Sequence, residues 1–292
     1  MLYSFSIKSK EILHFVQNDK MEKIKIQLGR VQETLLLPLV SRAKETEYKN
    51  PLLNDTKAVD LFNQLDVDRK KLLRNITEIG VHGLCYRAYR MDEAIKEFLR
   101  KHPNGKILDI GAGLDTTYYR CDNGTALWYD LDLPDSIALR TQLLPPPNNR
   151  VKYIAKSMLD YSWIDEIGDI SQGLFITVPG VLPYFREEDV RDFLSTLAQR
   201  FRGAEIMFDV ISQFGKFFVD MRIKSAGMKE AHLEWGILDP KTVTDWSKHI
   251  ELVRTIKFFE DMPKSNQRPF TKIAMQFNKM FDMTQLFHLR FV

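Results

Sequence analysis

Two neighbouring stretches, KILDIGAGLDTTYYR at 106–120 and ALWYDLDLPD at 126–135, constrain this chain more than any other part of it. The first reads as a short apolar strand that ends at Gly111 and Gly113. Residues without a Cβ let the chain turn sharply there and let a ligand approach the backbone closely. In a dinucleotide-binding turn a third glycine lets the next helix press against the strand and offer its N-terminus to a pyrophosphate. Thr116 occupies that place, which disfavours a pyrophosphate ligand such as NAD. A ligand with an adenosine and no phosphates tolerates the looser helix, and S-adenosylmethionine is the common one. The second stretch supplies the acid such a site needs about 20 residues on, where it accepts hydrogen bonds from ribose hydroxyls. Asp130 and Asp132 share a strand face. Pro134 stops the strand just beyond Asp132, so Asp132 is the expected ribose acceptor.

The rest of the chain supports an α/β fold around these two strands. From Ile24 to Arg100 the apolar pattern is helical, with Asp55 placed to cap TKAVDLFNQL. After KHPNGK the period changes, and KILDIG, TALWYDLDL, VKYIA, GLFITV and AEIMFDV are β-prone runs separated by helix-length segments. Strands alternating with helices predict a doubly wound, mostly parallel sheet. HIELVRTIKFF and TQLFHLRFV add two more strands, for seven in all, the last returning as an antiparallel edge hairpin. The expected organisation is an over-extended or disordered 1–20, a helical N-terminal cap at 21–105, and a core at 106–292. Within the core, an insertion at about 211–250 is of a length that commonly shapes a lid.

Composition narrows the partners. Forty-two Lys and Arg against 39 Asp and Glu give a formal charge of +3, too balanced to point to nucleic acid or an anionic membrane. Cys85 and Cys121 lack the spacing of a metal site, and free thiols fit a reducing cytoplasm. The most apolar stretch, TLLLPLV at 34–40, is too short to span a bilayer and contains Pro38. A soluble, cytoplasmic protein without a metal is expected.

Five ordered blocks carry a resemblance: QETLLLPLVSRAKE, YRAYRMDEAIKEFLRKHP, ILDIGAGLDTTYYR, WYDLDLPDSIALRTQLLP and GVLPYFREEDV. They span roughly Gln32 to Glu188. In them the chain resembles the leucine carboxyl methyltransferase superfamily, in its bacterial and archaeal branch similar to tetracenomycin-type polyketide O-methyltransferases. The resemblance implies a Rossmann-like class I methyltransferase fold and S-adenosylmethionine as methyl donor, with S-adenosylhomocysteine as product. It implies that Arg87, on the helix before the first strand, binds the methionyl carboxylate, a task suited to a guanidinium fork. Gly111, Ala112 and Gly113 would line the amino-acid half, Asp132 would hold the ribose, and Ser157 and Met158 would meet the adenine. Two departures stand out. Ser157 replaces an acid common in relatives, and Pro179, before Gly180, replaces a glutamate, so an acidic cofactor contact is lost there.

Methyl transfer from a sulfonium needs alignment and exclusion of water more than a catalytic triad, and no catalytic residue is singled out. The acceptor is expected to be a small molecule, polyketide-like, methylated on a carboxylate or hydroxyl. Arg42, Tyr118, Tyr119, Tyr184, His232 and Trp235 are the acceptor-side candidates. The alternatives are methylation of a protein C-terminal carboxylate, or a cofactor-binding module without catalysis.

Overall fold

The computed structural model describes residues 32–74, 76–225, 232–262 and 267–292. The expectation for 1–20 lies outside these residues, as does part of the insertion at 226–231. Helices α1 (Gln32–Thr46), α2 (Thr56–Gln64), α3 (Arg69–Arg74) and α4 (Glu78–Lys101) come first. Asp55 caps α2 as its position predicts, its Oδ1 accepting the Ala58 N–H at 2.9 Å.

The switch to β-prone runs after Gly105 produces β1 (Lys106–Ile110), β2 (Leu127–Asp132), β3 (Val151–Ala155), β4 (Leu174–Val178) and β5 (Glu205–Ile211). All five pair in parallel, and β4 is buried at every position, which is why these strands read as near-continuous apolar runs. Between them lie α5 (Thr117–Cys121), α6 (Pro134–Leu143), α7 (Ile164–Ile167) and α8 (Glu187–Arg200). After β5 come α9 (Gln213–Ser225), α10 (Pro240–Thr244), β6 (Ile250–Lys257), α11 (Pro269–Met280) and β7 (Thr284–Phe291).

The seven strands lie in the order β3-β2-β1-β4-β5-β7-β6. As expected, the antiparallel pairing is confined to one edge, where β7 runs antiparallel to both β5 and β6. The link from β6 to β7 contains α11, so the pair is not closed by a tight turn. One face of the sheet packs through Trp163, Phe193, Phe208 and Phe287, the other through Tyr86, Phe98, Trp128 and Phe175. Strand order reverses between β1 and β4, and a crevice opens beyond the carboxyl ends of strands at such a point.

Candidate cofactor and acceptor site

The glycine turn after β1 is held in place from three directions. Gly111 sits at φ +74° and Gly113 at φ +43°, conformations that disfavour any side chain. A Cβ on Gly111 would fall 2.2 Å from Val181 Cγ2, and one on Gly113 would fall 2.8 Å from Leu35 Cδ2. From one side, Asp132 accepts the Gly113 N–H on Oδ2 at 2.7 Å and the Leu133 N–H on Oδ1 at 2.7 Å. From below, Arg140 pairs with Asp130 at 2.6 Å and donates to the carbonyls of Gly113 and Asp115. From the helical layer, Arg42 donates to Asp55 at 2.9 Å and to the Leu114 carbonyl at 2.9 Å.

Thr116 now has a physical reason. It is fully buried, and its hydroxyl donates to the Asp55 carboxylate instead of capping the short α5. Arg120 reaches the same carboxylate at 2.7 Å and also pairs with Asp92 at 2.7 Å. The threonine therefore joins the turn to the N-terminal helices, where a glycine would leave Asp55 short of a donor. Burial opposes ionisation of Asp115, but the Arg42 and Arg120 guanidiniums hold its carboxyl well below the usual range.

A cavity of about 1020 Å³ opens over the carboxyl ends of β1, β2, β4 and β5. It is lined by Gly111, Ala112, Gly113, Asp132, Ser157, Met158, Arg87, Pro179 and Gly180, all the expected cofactor-side residues. At one end stand Gly113, Asp132 and the loop after β3 that carries Ser157 and Met158. Burial raises the Asp132 carboxyl pKa, against the hydrogen bonds from Gly113 and Leu133. Towards β4 and β5, Arg87 Nη1 lies 2.9 Å from Asp209 Oδ2, and Asp209 Oδ1 accepts the Gly180 N–H at 2.6 Å. Gly180 is at φ +70°, and a Cβ there would fall 2.5 Å from Arg87 Nη1, so this glycine makes room for the guanidinium.

Besides Asp115, which the helical layer holds, two lining carboxylates escaped the sequence reading. Asp109, on β1, accepts the Thr177 hydroxyl at 2.9 Å, and burial pushes its carboxyl well up. Asp209 is the other; its partner Arg87 lies 122 residues away, so only the fold brings them together.

The acceptor-side candidates separate sharply. Tyr184 lines the cavity, and burial pushes its phenol above the ordinary value against the pull of Arg87. Arg42 also touches the cavity wall, but it is 3% exposed and its guanidinium is committed to Asp55, Leu114 and Asp115, which ties it to the turn and not to a substrate anion. Tyr118 faces away, packed edge-on against Trp128 and accepting from Asn148 and Arg150. Tyr119 is exposed beneath Lys57. His232 is exposed and partners Glu234 outside the cavity. Trp235 is buried core, between Phe208 and Trp246. The insertion reaches the cavity through Phe218, Val219 and Leu233 instead. Residue type alone could not reveal which way each ring points.

Phe258, Phe259, Phe270, Ile273 and Phe277 form an apolar stretch of the lining, with no charged side chain among them. The volume is at the upper end of the roughly 300–1,000 Å³ common for small-molecule sites, enough for a nucleoside ligand and a second molecule side by side. The cradle fits S-adenosylmethionine. The backbone of Gly111 to Gly113 lines it, the Asp132 carboxylate offers a hydrogen-bond acceptor beside that turn, and the Arg87 guanidinium lines the same space.

Comparison with known proteins places the chain in a family and a fold. The family model described as leucine carboxyl methyltransferase matches residues 36–198, more than half of the chain. The tetracenomycin polyketide synthesis O-methyltransferase TcmP of Streptomyces glaucescens is 29% identical over 223 residues, covering 75% of this chain and 79% of that protein. The S-adenosyl-L-methionine-dependent methyltransferase dpfgK of Gibberella zeae is 25% identical, covering 76% and 80%. In fold the chain is similar to a DUF574 family protein from Streptomyces avermitilis, with a TM-score of 0.56 at 14% identity, covering 86% of this chain and 97% of that one. A SAM-dependent methyltransferase from Anabaena variabilis gives a TM-score of 0.50 at 11% identity, covering 70% and 84%.

Proposed function

The chain belongs to the leucine carboxyl methyltransferase family, and from that premise we propose that it transfers a methyl group from S-adenosylmethionine to an oxygen of a small, largely apolar acceptor. The observation that carries this reading is the continuity of the cavity from the glycine cradle to an uncharged aromatic wall. A peptide ending in a free carboxylate needs a cation to receive it. The wall formed by Phe258, Phe259, Phe270, Ile273 and Phe277 offers none, whereas a phenolic or acyl molecule would bury its surface there. The relative named as a polyketide O-methyltransferase supports the same class of acceptor.

When bound, the donor supplies an electrophilic methyl group on a sulfonium. The chain's own part is to bind and align. Arg87 would take the carboxylate of the methionyl end, Asp132 the ribose hydroxyls, and Ser157 and Met158 would flank the adenine. The backbone of Gly111 to Gly113 would set how deep the donor sits. Phe218, Phe258 and Phe259 would shield the reacting atoms from water, which strengthens every electrostatic contact inside.

No histidine lines the cavity among the described residues, and Asp115, Asp132 and Asp209 are held by hydrogen bonds or ion pairs. An acceptor oxygen that ionises by itself suits this site best. The test is turnover with tritiated methyl donor against three sets of acceptors: phenols, apolar carboxylic acids, and a peptide ending in leucine. Label in the phenols or apolar acids is expected. Label in the peptide alone would transfer the reading to protein carboxyl methylation, and donor binding without any label would favour a module without catalysis.

A further inference from the structure

We infer that Asp209 receives the α-ammonium of the donor's amino-acid end, so that Arg87 and Asp209 together form a subsite for a zwitterion. This rests on the reading of the cavity as an S-adenosylmethionine site.

The two side chains come from different layers, Arg87 from α4 and Asp209 from β5, and they meet at the cavity wall with 13% and 12% of their side-chain surface exposed. An ion pair so withdrawn from water is costly unless its remaining donors and acceptors are satisfied. Among the described residues Arg87 uses one of its five N–H donors, at Nη1. Asp209 accepts one hydrogen bond on each oxygen, from Arg87 and from the Gly180 N–H, and a carboxylate has about four acceptor positions. The pair thus keeps donors for a carboxylate beside acceptors for an ammonium. An amino acid presents both groups on adjacent atoms.

Register explains how the chain can do without an acid at 179. In the parallel β4–β5 ladder Val178 lies beside Phe208, so Pro179 and Asp209 are the next residues out on the two strands. The carboxylate missing just past the end of β4 stands one strand over, at Asp209 within β5. The loss of an acidic contact expected from Pro179 is thereby made good.

Other carboxylates of the cavity are less suited. Asp115 is taken by Arg42 and the Thr117 N–H, and Asp132 by the N–H groups of Gly113 and Leu133. Asp109 is buried against Thr177, in surroundings that favour its neutral form, which is a poor partner for a cation.

Titration calorimetry with two ligands tests the assignment: S-adenosylhomocysteine, which has the amino-acid end, and methylthioadenosine, which lacks it. Asp209→Asn is expected to weaken S-adenosylhomocysteine at least tenfold and leave methylthioadenosine within about twofold. Asp209→Glu, which keeps the charge, should recover part of the loss, and Asp109→Asn should cost less than Asp209→Asn. An equal fall for both ligands in Asp209→Asn, or no fall for either, overturns the assignment while leaving the cofactor reading standing. A wild-type protein that binds neither ligand overturns both. Should Asp209→Asn fail to fold, Asp209→Glu decides alone: a loss confined to S-adenosylhomocysteine supports the subsite, and an equal change in both ligands rejects it.

Discussion

Asp130 and Arg140 close on each other at 2.6 Å beneath the glycine turn, and neither lines the cavity, whereas Asp132, two residues along the same strand, does. Neighbouring acids on β2 therefore have separate tasks, one holding the turn and one facing the ligand.

This division is measurable. Asp132→Ala should weaken S-adenosylhomocysteine by about tenfold to more than a hundredfold. It should also cost about 1 kcal/mol of stability, because the carboxylate accepts the Gly113 and Leu133 N–H groups. Asp130→Ala should have the smaller effect on affinity and the larger on stability, about 3–5 kcal/mol, since it leaves Arg140 buried without its carboxylate. Calorimetric titration and urea unfolding give the two rankings. The reverse order in affinity would move the ribose contact to Asp130.

Gly111→Ala and Gly124→Ala separate crowding from backbone strain. Both glycines have positive φ, +74° and +87°. A Cβ at 124 meets nothing within 4 Å, so only the backbone penalty of about 1 kcal/mol is expected. At 111 the Cβ would collide with Val181, and a loss of about 2 kcal/mol or more is expected, together with weakened cofactor binding. Equal melting temperatures for the two variants would show that Val181 yields freely.

Arg120→Met should be among the most damaging single changes, at about 3 kcal/mol in urea unfolding. It withdraws the cation from Asp92 and one of two guanidiniums from Asp55, all of them buried. A loss below about 1 kcal/mol would show that Arg42 alone can neutralise the cluster.

Acid stability should depend on Glu205. The hydrogen bond from His288, outweighing the burial that opposes it, and a second from Arg290 lower its carboxyl to about 2. A carboxylate whose pKa is depressed in the folded state contributes stability that is complete above its unfolded value of about 4.3 and vanishes as pH falls through the folded value. Wild type should therefore exceed Glu205→Gln in stability at pH 6, and the difference should shrink between about pH 4.5 and 2. Parallel denaturation curves at each pH would check the convergence, and a constant gap would remove Glu205 from the acid response.

Much of this was legible in the sequence because its signals are local. The apolar runs of β1 to β5 are continuous where a strand is buried on both faces, and Gly111, Gly113 and Asp132 fall at strand ends that Pro134 and the turn mark out. Asp209 was hidden because a lone acid in an apolar strand carries no local sign of a partner until Arg87 is brought to it from α4. Thr116 looked like a missing glycine, and only the position of Asp55 shows it as a link to the helices. Tyr118 and Trp235 lie outside the cavity lining for the converse reason: an aromatic ring packs equally well in a cavity wall or behind it, and the choice is made by neighbours such as Trp128 and Phe208. Helix α11 went unassigned between two strands, although it supplies Phe270, Ile273 and Phe277 to the wall.

The position of β7 between β5 and β6 has a consequence for biosynthesis. β6 leaves the ribosome before β7 and has no other neighbour in the sheet, so it cannot dock when it emerges. Over the same interval β5 offers an open row of peptide groups to any passing strand. Until Thr284–Phe291 pairs with both neighbours, β5 keeps an adhesive edge and β6 has no strand to join, so closure of this side of the sheet waits on the last strand of the chain.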